Sequence, residues 1–313
     1  MQIYRNLDEL SRFPRNARTH VTIGSFDGLH LGHQALIGAT IQSARSMGGH
    51  STVFTFANHP LSLLAPAYRP ARIMSDETRI RLIEKLGADS LVLVTFDKVL
   101  ADMSPEIFVL EVLVKKLHVH QIVTGFNFRF GKDGAGDEKV LAEIGREFGL
   151  SIQRLQPVEI DRVIVSSTKI RELLTQGLVA LASRFLGRPH FVRGRVIRGL
   201  GRGRHLEYPT ANLELTDRVL VPANGCYAVR VRFEGKLFGG MMNIGYNPTF
   251  PPEHFSLEVH LFDYAGDLVD QTLEVHFLKR LRLEQKFSTP EALMEQLRRD
   301  EHIARQFIAT YPL

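Results

Sequence analysis

Residues 21–37 read VTIGSFDGLHLGHQALI, and this stretch decides the fold of the first half of the chain. A short apolar run ends at Gly24, and apolar residues at helical spacing begin after His30. A strand that ends in glycine and leads into a helix brings unpaired backbone N–H groups and the positive end of the helix dipole to one point. The stretch therefore predicts a strand, a turn and a helix, with an anion site where the helix begins.

The same alternation of strand and helix continues to about residue 185. The predicted strands are VTIGS, STVFTF, SLVLVTF and HQIVTGF, and the predicted helices between them are HLGHQALIGATIQSARSMGG, SDETRIRLIEKLG, SPEIFVLEVLVKKLH and DEKVLAEIGREFG. Ser75 and Ser104 are placed to cap helices, Pro105 suits a first helical position, and Gly48, Gly87 and Gly149 suit helix exits. Strands alternating with helices predict an α/β doubly wound parallel sheet, whose ligands bind beyond the carboxyl ends of the strands.

The pattern changes after VALASRFLGRPH. The segments FVRGRVIRG, CYAVRVRFEGKLFGGMMNIG and SLEVHLFDYAGDLVDQTLEVHFL alternate in twos and are separated by glycine or aspartate turns, which predicts antiparallel β structure. Near the C-terminus, Thr289 and Pro290 are placed to cap and open an amphipathic helix. We therefore expect a first domain over residues 1–186 and a second over residues 187–313.

The composition limits the classes of function. The 313 residues are 44% hydrophobic, as in globular proteins, and no apolar run approaches the roughly 20 residues needed to span a bilayer. The N-terminal residues lack the pattern of a signal peptide and Cys226 is the single cysteine, so we expect a cytoplasmic protein with no membrane partner. The net charge of +5 is compatible with nucleic acid, but the charges are scattered, which favours small anionic ligands such as nucleotides over a nucleic acid polymer.

His30 and His33 are spaced to project from one face of the first helical turn. Both could donate hydrogen bonds to one phosphate and stabilise the charge of a five-coordinate α-phosphorus, while Gly28 and Gly32 leave room for a nucleotide and Asp27 could hold the turn. The alternatives are a helix cap or a zinc pair, but no third ligand stands at convincing spacing. No G-x-x-x-x-G-K-[ST] phosphate loop occurs in the sequence.

These motifs resemble those of a known family. GSFDGLHLGH is similar to the G-x-F-D-x-x-H-x-G-H signature of the nucleotidylyltransferase superfamily, and VSSTKIR (165–171) resembles its second element, S-S-T-x-I-R. Together with TGFNFRFGKDGAGD (124–137), they resemble the FAD synthetase half of the prokaryotic bifunctional riboflavin kinase/FAD synthetases. GRVIRGLGRGRHLEYPTANL (194–213) resembles the riboflavin kinase half, so the resemblance covers essentially the whole chain.

For the first half, the resemblance implies a nucleotidylyltransferase-type domain that joins FMN to the AMP part of ATP and releases pyrophosphate. His30 and His33 would contact the ATP phosphates, and Arg171 would clamp the outgoing pyrophosphate. The other implied ATP-binding or phosphate-binding residues are Gly24, Phe26, Asp27, Gly28, Gly32, Asn127, Ser166, Ser167 and Thr168. The implied flavin-binding residues are His59, Phe126, Phe128 and Phe130, the three phenylalanines alternating as in a strand, with core packing as the alternative reading of that alternation.

For the second half, the resemblance implies an antiparallel β-barrel with a C-terminal helix that phosphorylates riboflavin to FMN. Glu258 would be the catalytic base, with an exposed strand carboxylate as the alternative reading, and Thr210 and Asn212 would ligate Mg²⁺ and the ATP phosphates. Gly199, Gly203 and Arg204 would bind ATP, Asn247 of NIGYNPTF (243–250) would bind flavin, and RLRLEQKF (280–287) resembles the segment that covers the flavin. Mg²⁺ would accompany ATP at both sites, and riboflavin, FMN and FAD would be substrates and products.

The sequence departs from the family pattern at three places and leaves two alternatives. ANHP replaces the usual Pro-His-Pro, LEYPTAN carries Glu207 where a glycine is usual, and GDLVD replaces Gly-Asp-Leu-Tyr-Gly. One alternative is another nucleotidylyltransferase whose barrel is an inactive flavin-binding module. The other is a non-enzymatic regulator that senses flavin or binds nucleic acid. The sequence makes no prediction of oligomeric state.

Overall fold

The computed structural model describes residues 1–16, 18–68, 70–198, 208–246 and 255–311. The chain divides into two compact units, Met1–Ser166 and Ser167–Leu313. The functional boundary between residues 186 and 187 stays a prediction.

The first unit is built on six parallel strands. They are β1 (Gln2–Tyr4), β2 (Thr19–Ile23), β3 (His50–Phe56), β4 (Ser90–Val94), β5 (Val119–Thr124) and β6 (Ser151–Arg154), in the spatial order β1-β4-β3-β2-β5-β6. The four predicted strands are β2 to β5. The edge strands β1 and β6 were not predicted, and neither was a hairpin of β7 (Glu159–Ile160) and β8 (Val163–Ile164).

Helices cover both faces of this sheet. They are α1 (Leu31–Ser46), α2 (Leu61–Leu64), α3 (Asp76–Leu86), α4 (Lys98–Ala101), α5 (Pro105–Ile107), a π-helical segment (Phe108–Val114) and α6 (Glu138–Phe148). Alternate residues of one strand face opposite layers: Val92 and Val94 pack with Phe108 and Leu141, whereas Leu91 and Leu93 pack with residues of α1 and α3. This arrangement confirms the doubly wound α/β fold.

The helix ends follow the sequence signals. Ser75 and Ser104 accept backbone hydrogen bonds as N-caps, and Pro105 occupies the first turn of α5. Gly87 and Gly149 end α3 and α6 in the left-handed conformation. The segment after Ile107 was expected to be an α-helix and is instead π-helical, with Lys115 N–H donating to the carbonyl oxygen of Leu110.

The second unit contains a closed antiparallel barrel, which confirms the predicted architecture. Its strands are β9 (His190–Ile197), β10 (Ala211–Leu215), β11 (Gly225–Phe233), β12 (Lys236–Gly245), β13 (Ser256–Leu261) and β14 (Thr272–Arg282), closed in the order β10-β13-β12-β11-β14-β9. Val229, Met242 and Val259 of three neighbouring strands are fully buried. The β11–β12 hairpin turns through Glu234 and Gly235, both at positive φ as a type I′ turn requires.

Among its described residues, the barrel unit contains the helices α7 (Ser167–Thr175), α8 (Val179–Leu186) and α9 (Pro290–Thr310). Helix α8 packs on β14 and β9, and the carbonyl of Leu174 at the end of α7 accepts a hydrogen bond from Ala223 N–H at 3.1 Å. Helix α9 begins as predicted, with Thr289 as its N-cap and Pro290 in its first turn. Its Ala304 is buried with barrel residues Cys226, Met241 and Phe262.

Candidate active sites

The first candidate site lies where the strand order of the sheet reverses. From β2 the chain proceeds through β3 and β4 on one side of the sheet, and it then returns to place β5 on the other side of β2. Ligands of open α/β sheets bind at such a switch point, beyond the carboxyl ends of the two central strands. Residues 24–33 follow β2 and residues 125–130 follow β5. A Cβ placed on Gly125 would lie 3.6 Å from Leu36 of α1, so the β5 loop runs beside this helix.

His30 and His33 form a stacked pair at the start of α1. His30 is the N-cap, and its Nδ1 accepts a hydrogen bond from the backbone N–H of His33 at 3.3 Å. The two ring centroids are 3.6 Å apart at an interplanar angle of 19°. Because Nδ1 of His30 uses its lone pair to accept, the ring proton of the neutral imidazole lies on Nε2. The pair therefore brings imidazole N–H donors to the positive end of the helix dipole.

The turn before the histidines is held by contacts with Ile73 and Met74. Gly28 has φ +83°, and a Cβ at this position would also lie 3.0 Å from Cδ1 of Ile73. The buried carboxylate of Asp27 accepts hydrogen bonds from the backbone N–H of Ile73 at 3.0 and 3.1 Å and of Met74 at 3.3 Å. Asp27 thus fastens the turn to the segment before α3, and its proposed contact with a nucleotide stays a prediction.

Phe26, Gly24 and Gly32 contribute to this region through packing. The ring of Phe26 is fully buried in the core, and a Cβ on Gly24 would lie 3.2 Å from that ring. Phe26 therefore packs in the core, and its contact with a nucleotide stays a prediction. Gly32 lies close to the ring of His30: a Cβ added to Gly32 would be 3.2 Å from both Cε1 and Nδ1 of that ring.

Arg79 is a residue of this region that the sequence analysis missed. Only 4% of it is exposed, yet its guanidinium donates to the carbonyl oxygen of Phe56 at 2.6 Å, to that of Ser25 at 2.5 Å and to the hydroxyl of Thr55 at 3.2 Å. It thus ties the carboxyl ends of β2 and β3 together, with Asp76 as its ion-pair partner. Burial lowers the pKa of Arg79, and the charge of Asp76 opposes that shift. Its four-residue spacing from the buried Ile83 was the signal of an inward-facing arginine.

The phenylalanines after β5 do not form a strand, so that prediction was wrong. β5 ends at Thr124, Phe126 lies in a turn, and Phe130 makes an isolated bridge with Gly136. Phe130 is buried in the core and Phe128 stacks on it, with ring centroids 5.4 Å apart. Phe130 therefore packs, as the alternative reading expected. Phe126 and Phe128 are half-buried and Asn127 is exposed, so these three remain candidates for ligand contact.

In ANHP, Asn58 stands where the family pattern has a proline, and its side chain makes hydrogen bonds that link two loops. Asn58 donates to the carbonyl of Phe96 at 2.9 Å and accepts from the N–H of the same residue at 2.7 Å, so it joins the loops after β3 and β4. A proline there could make neither bond. The half-buried His59 accepts from the N–H of Leu61 at 3.2 Å and keeps its position in the loop.

The S-S-T-x-I-R element forms the start of α7. The helix begins at Ser167, so Ser166 precedes it, Thr168 is exposed and Arg171 is half-buried. Ile170, one residue before Arg171, is fully buried. The predicted phosphate-binding roles of Ser166, Ser167, Thr168 and Arg171 stay predictions.

The second candidate site lies on the barrel and is centred on Glu258. Strand pairing places Asn212 of β10 opposite Glu258 on one side and Asn243 of β12 opposite it on the other, so all three side chains share one face of the sheet. Oε2 of Glu258 lies 3.4 Å from Oγ1 of Thr210, and its Oε1 accepts from Ser256 Oγ at 3.0 Å. The structure thus brings together the predicted Thr210, Asn212 and Glu258. It adds Asn243, which only the strand register could reveal.

Two further segments of the barrel unit were predicted to touch the flavin. Glu284 of RLRLEQKF accepts a hydrogen bond from Tyr246 N–H of NIGYNPTF at 2.7 Å, so the two segments meet. Arg282 of the same segment donates to the buried Asp300 of α9 at 2.7 Å. The predicted Gly199, Gly203, Arg204 and Asn247, and the departure at Glu207, lie outside the described residues.

Comparison with known proteins assigns a family to each half of the chain. The FAD synthetase family model matches residues 13–169, and the riboflavin kinase family model matches residues 186–308. The curated bifunctional riboflavin kinase/FMN adenylyltransferase of Bacillus subtilis (strain 168) is 37% identical over 299 residues, which is 94% of this chain and 93% of that protein. The chain belongs to the bifunctional riboflavin kinase/FMN adenylyltransferase family.

Two other relatives extend over nearly the full length of the chain. The family member of Escherichia coli (strain K12) is 37% identical over 308 residues, which cover 98% of both proteins. A crystal structure described as a macrolide-efflux protein of Streptococcus pneumoniae is 33% identical, with a TM-score of 0.87 over 97% of this chain and 98% of that one. Among the described residues, no helix has both the length and the apolar character to cross a membrane. In the same ranges, no three His, Cys, Asp or Glu side chains form a candidate metal site.

Proposed function

We propose that this chain carries out two consecutive ATP-dependent steps of flavin cofactor synthesis: phosphorylation of riboflavin to FMN on the barrel, and adenylylation of FMN to FAD on the α/β unit. The observation that carries the proposal is the stacked His30–His33 pair at the switch point of the sheet, together with a separate carboxylate site on the barrel. Membership of the bifunctional family supports both steps.

In the adenylylation step, a phosphate oxygen of FMN attacks the α-phosphorus of ATP, and the bond to the β-phosphate breaks to release pyrophosphate. The attacking oxygen is already ionised, so this step needs no base from the protein. Nε2–H of His30, the ring of His33 and the N-terminus of α1 are suited to stabilise the negative charge of the five-coordinate phosphorus. Arg171 is proposed to bind the leaving pyrophosphate, from its place in the S-S-T-x-I-R motif.

In the kinase step, the terminal ribityl hydroxyl of riboflavin attacks the γ-phosphorus of ATP and ADP leaves. Here the nucleophile carries a proton, and Glu258 is proposed to accept it as the new O–P bond forms. Mg²⁺ would neutralise charge on the ATP phosphates. The donor set fits this ion, because Thr210, Asn212 and Glu258 offer hard oxygen atoms and Thr210 lies 3.4 Å from Glu258. Thr210 and Asn212 are proposed to hold it with the phosphates.

The proposed partners are the small molecules riboflavin, FMN and ATP. The flavin contacts of Phe126, Phe128 and His59, the absence of nucleic acid and membrane partners, and a cytoplasmic location all stay predictions.

The test is a product assay on the purified protein. Incubation with riboflavin, ATP and Mg²⁺ is expected to yield FMN and then FAD, and incubation with FMN and ATP to yield FAD and pyrophosphate in equal amounts. A parallel reaction with EDTA tests the need for the metal ion. FMN as the final product would refute the adenylylation step, and absence of both products would refute the proposed function.

A further inference from the structure

The turn that carries Thr210 is held by side chains from two other elements. Tyr208 is 9% exposed, and its hydroxyl donates to Oε2 of Glu301 on α9 at 2.9 Å. The carbonyl oxygen of Pro209 accepts from Nδ1 of His260 on β13 at 2.8 Å. The rings of Tyr208 and His260 also meet edge to face, with centroids 5.2 Å apart. Pro209 and Thr210 themselves are exposed, so these contacts fix a turn that core packing does not hold.

Helix α9 holds the end of β13 through the same group of side chains. Arg305 donates to Glu301 at 2.8 Å and makes two bonds to the carboxylate of Asp263, at 2.8 and 2.9 Å. Its guanidinium lies 4.3 Å from the centre of the Phe262 ring. Asp263 and Phe262 directly follow β13, the strand that carries Glu258. One helix therefore fixes both the turn before Thr210 and the end of the strand of Glu258.

The energetics of this group indicate positioning as its main effect. Arg305 and Asp263 are 42% and 77% exposed, and exposed ion pairs contribute little to stability. Loss of these contacts is expected to affect ligand binding more than the free energy of unfolding, because small displacements of a binding group reduce affinity and rate. Thr210 precedes the first β10–β13 pair, Ala211 with Val259, so the strand ladder alone does not fix its 3.4 Å distance to Glu258.

We propose that Tyr208, His260 and Glu301 are positioning residues of the kinase site, which hold the Pro209–Thr210 turn so that Thr210 stays beside Glu258. This inference rests on the proposed kinase function of the barrel. These residues bind no substrate. They act on the affinity for the magnesium–nucleotide complex through Thr210.

The decisive variants are Tyr208→Phe, which removes only the hydroxyl, and His260→Ala, which removes the donor to Pro209. Each is expected to raise the KM for Mg·ATP in FMN formation about 5- to 20-fold, with kcat reduced less than about 3-fold. Binding of Mg·ADP, measured by calorimetry, is expected to weaken by the same factor. His260→Asn is expected to restore most of the affinity, because the asparagine amide reaches the position of Nδ1.

Two controls separate positioning from folding. The FMN-to-FAD activity of the same preparations is expected to remain at the level of the unmodified protein. Tyr264→Phe removes a hydroxyl from another ring of the barrel unit, one that packs edge-on against Phe233 and Phe238, and is expected to leave the KM for Mg·ATP unchanged.

The other outcomes would contradict either the positioning role or the proposed kinase function. An unchanged KM and Mg·ADP affinity in Tyr208→Phe and His260→Ala would overturn the positioning role, as would equal losses in the kinase and FMN-to-FAD activities. Failure of His260→Asn to restore affinity would overturn the role of the Pro209 contact. If the unmodified protein forms no FMN, the proposed kinase function itself fails.

Discussion

Gly32→Ala tests the role of His30 without removing any functional group. Gly32 lies in the first turn of α1, and a Cβ added there would be 3.2 Å from both Cε1 and Nδ1 of His30. Ordinary contacts of this kind are longer by a few tenths of an ångström. The imidazole has to move to accept the methyl group, and its stacking on His33 at a centroid distance of 3.6 Å would change with it. The substitution therefore displaces the proposed phosphate donor.

Activity is expected to change more than stability. Replacing glycine by alanine within a helix stabilises by about 0.5–1 kcal/mol, because the unfolded chain loses conformational freedom, and the close contact with His30 offsets part of this gain. A misplacement of about 1 Å in an active site can reduce the rate about 100-fold, so a shift of a few tenths of an ångström is expected to cost about 3- to 10-fold, or about 0.7–1.4 kcal/mol of transition-state stabilisation. We expect FAD formation from FMN to fall by this factor in a protein that remains folded.

The assay is kcat/KM for FAD formation, measured beside the urea midpoint of unfolding. Gly38→Ala is the matched control, since it lies on the same helix and its added Cβ would meet no atom within 4 Å. This control is expected to gain similar stability and keep full activity. FMN formation from riboflavin serves as an internal reference in both variants. Unchanged FAD formation in Gly32→Ala would refute the reasoning that His30 must occupy its observed position.

Two further substitutions separate the sites, and a third prediction concerns the stability of the barrel. His33→Ala is expected to reduce FAD formation about 100- to 1,000-fold while FMN formation persists, since one preorganised donor of this kind contributes about 3–4 kcal/mol. Normal FAD output would contradict the assignment of the adenylylation site to the histidine pair. Glu258→Gln is expected to reduce FMN formation at least about 100-fold and leave FAD formation from added FMN intact, and an active kinase would exclude Glu258 as the base. Burial lowers the pKa of His190 to about 4, although a hydrogen bond to the Leu220 carbonyl opposes this shift. Below about pH 6.5 this histidine therefore binds a proton in the unfolded chain but stays neutral in the folded barrel until about pH 4. The barrel is expected to lose about 2 kcal/mol of stability between pH 7.5 and pH 5 from this group; His190→Gln is expected to lack that loss in hydrogen exchange of β9, and identical pH slopes would contradict it.

The sequence predicted the features that depend on local spacing. Helix α1 and its two histidines were found because apolar residues recur at three and four and glycine marks the strand end. The edge strand β1 was missed because three residues carry too little periodicity. The alternation of Phe126, Phe128 and Phe130 was misread, because spacing by two in a loop resembles spacing by two in a strand.

What the sequence could not supply was the set of contacts between distant segments. Arg79 faces inward because both terminal nitrogens of its guanidinium donate to acceptors at the ends of β2 and β3, and none of these three acceptors is near it in sequence. Asn243 lies beside Glu258 only because β12 and β13 pair in one register, and a shift by one residue would turn its side chain to the opposite face.

The two proposed reactions differ in whether they need a base, and the surroundings of the acidic side chains follow that difference. At the first site, the carboxylate of Asp27, the acidic group nearest the histidines in sequence, accepts backbone N–H groups of Ile73 and Met74 and so serves to hold the turn. A phosphate nucleophile is already ionised, so this site has no need of a proton acceptor. On the barrel the nucleophile is a hydroxyl, and the half-buried Glu258 lies beside the hydroxyl groups of Ser256 and Thr210. The two carboxylates are therefore proposed to act differently, Asp27 by holding its turn and Glu258 by accepting the proton of the substrate hydroxyl.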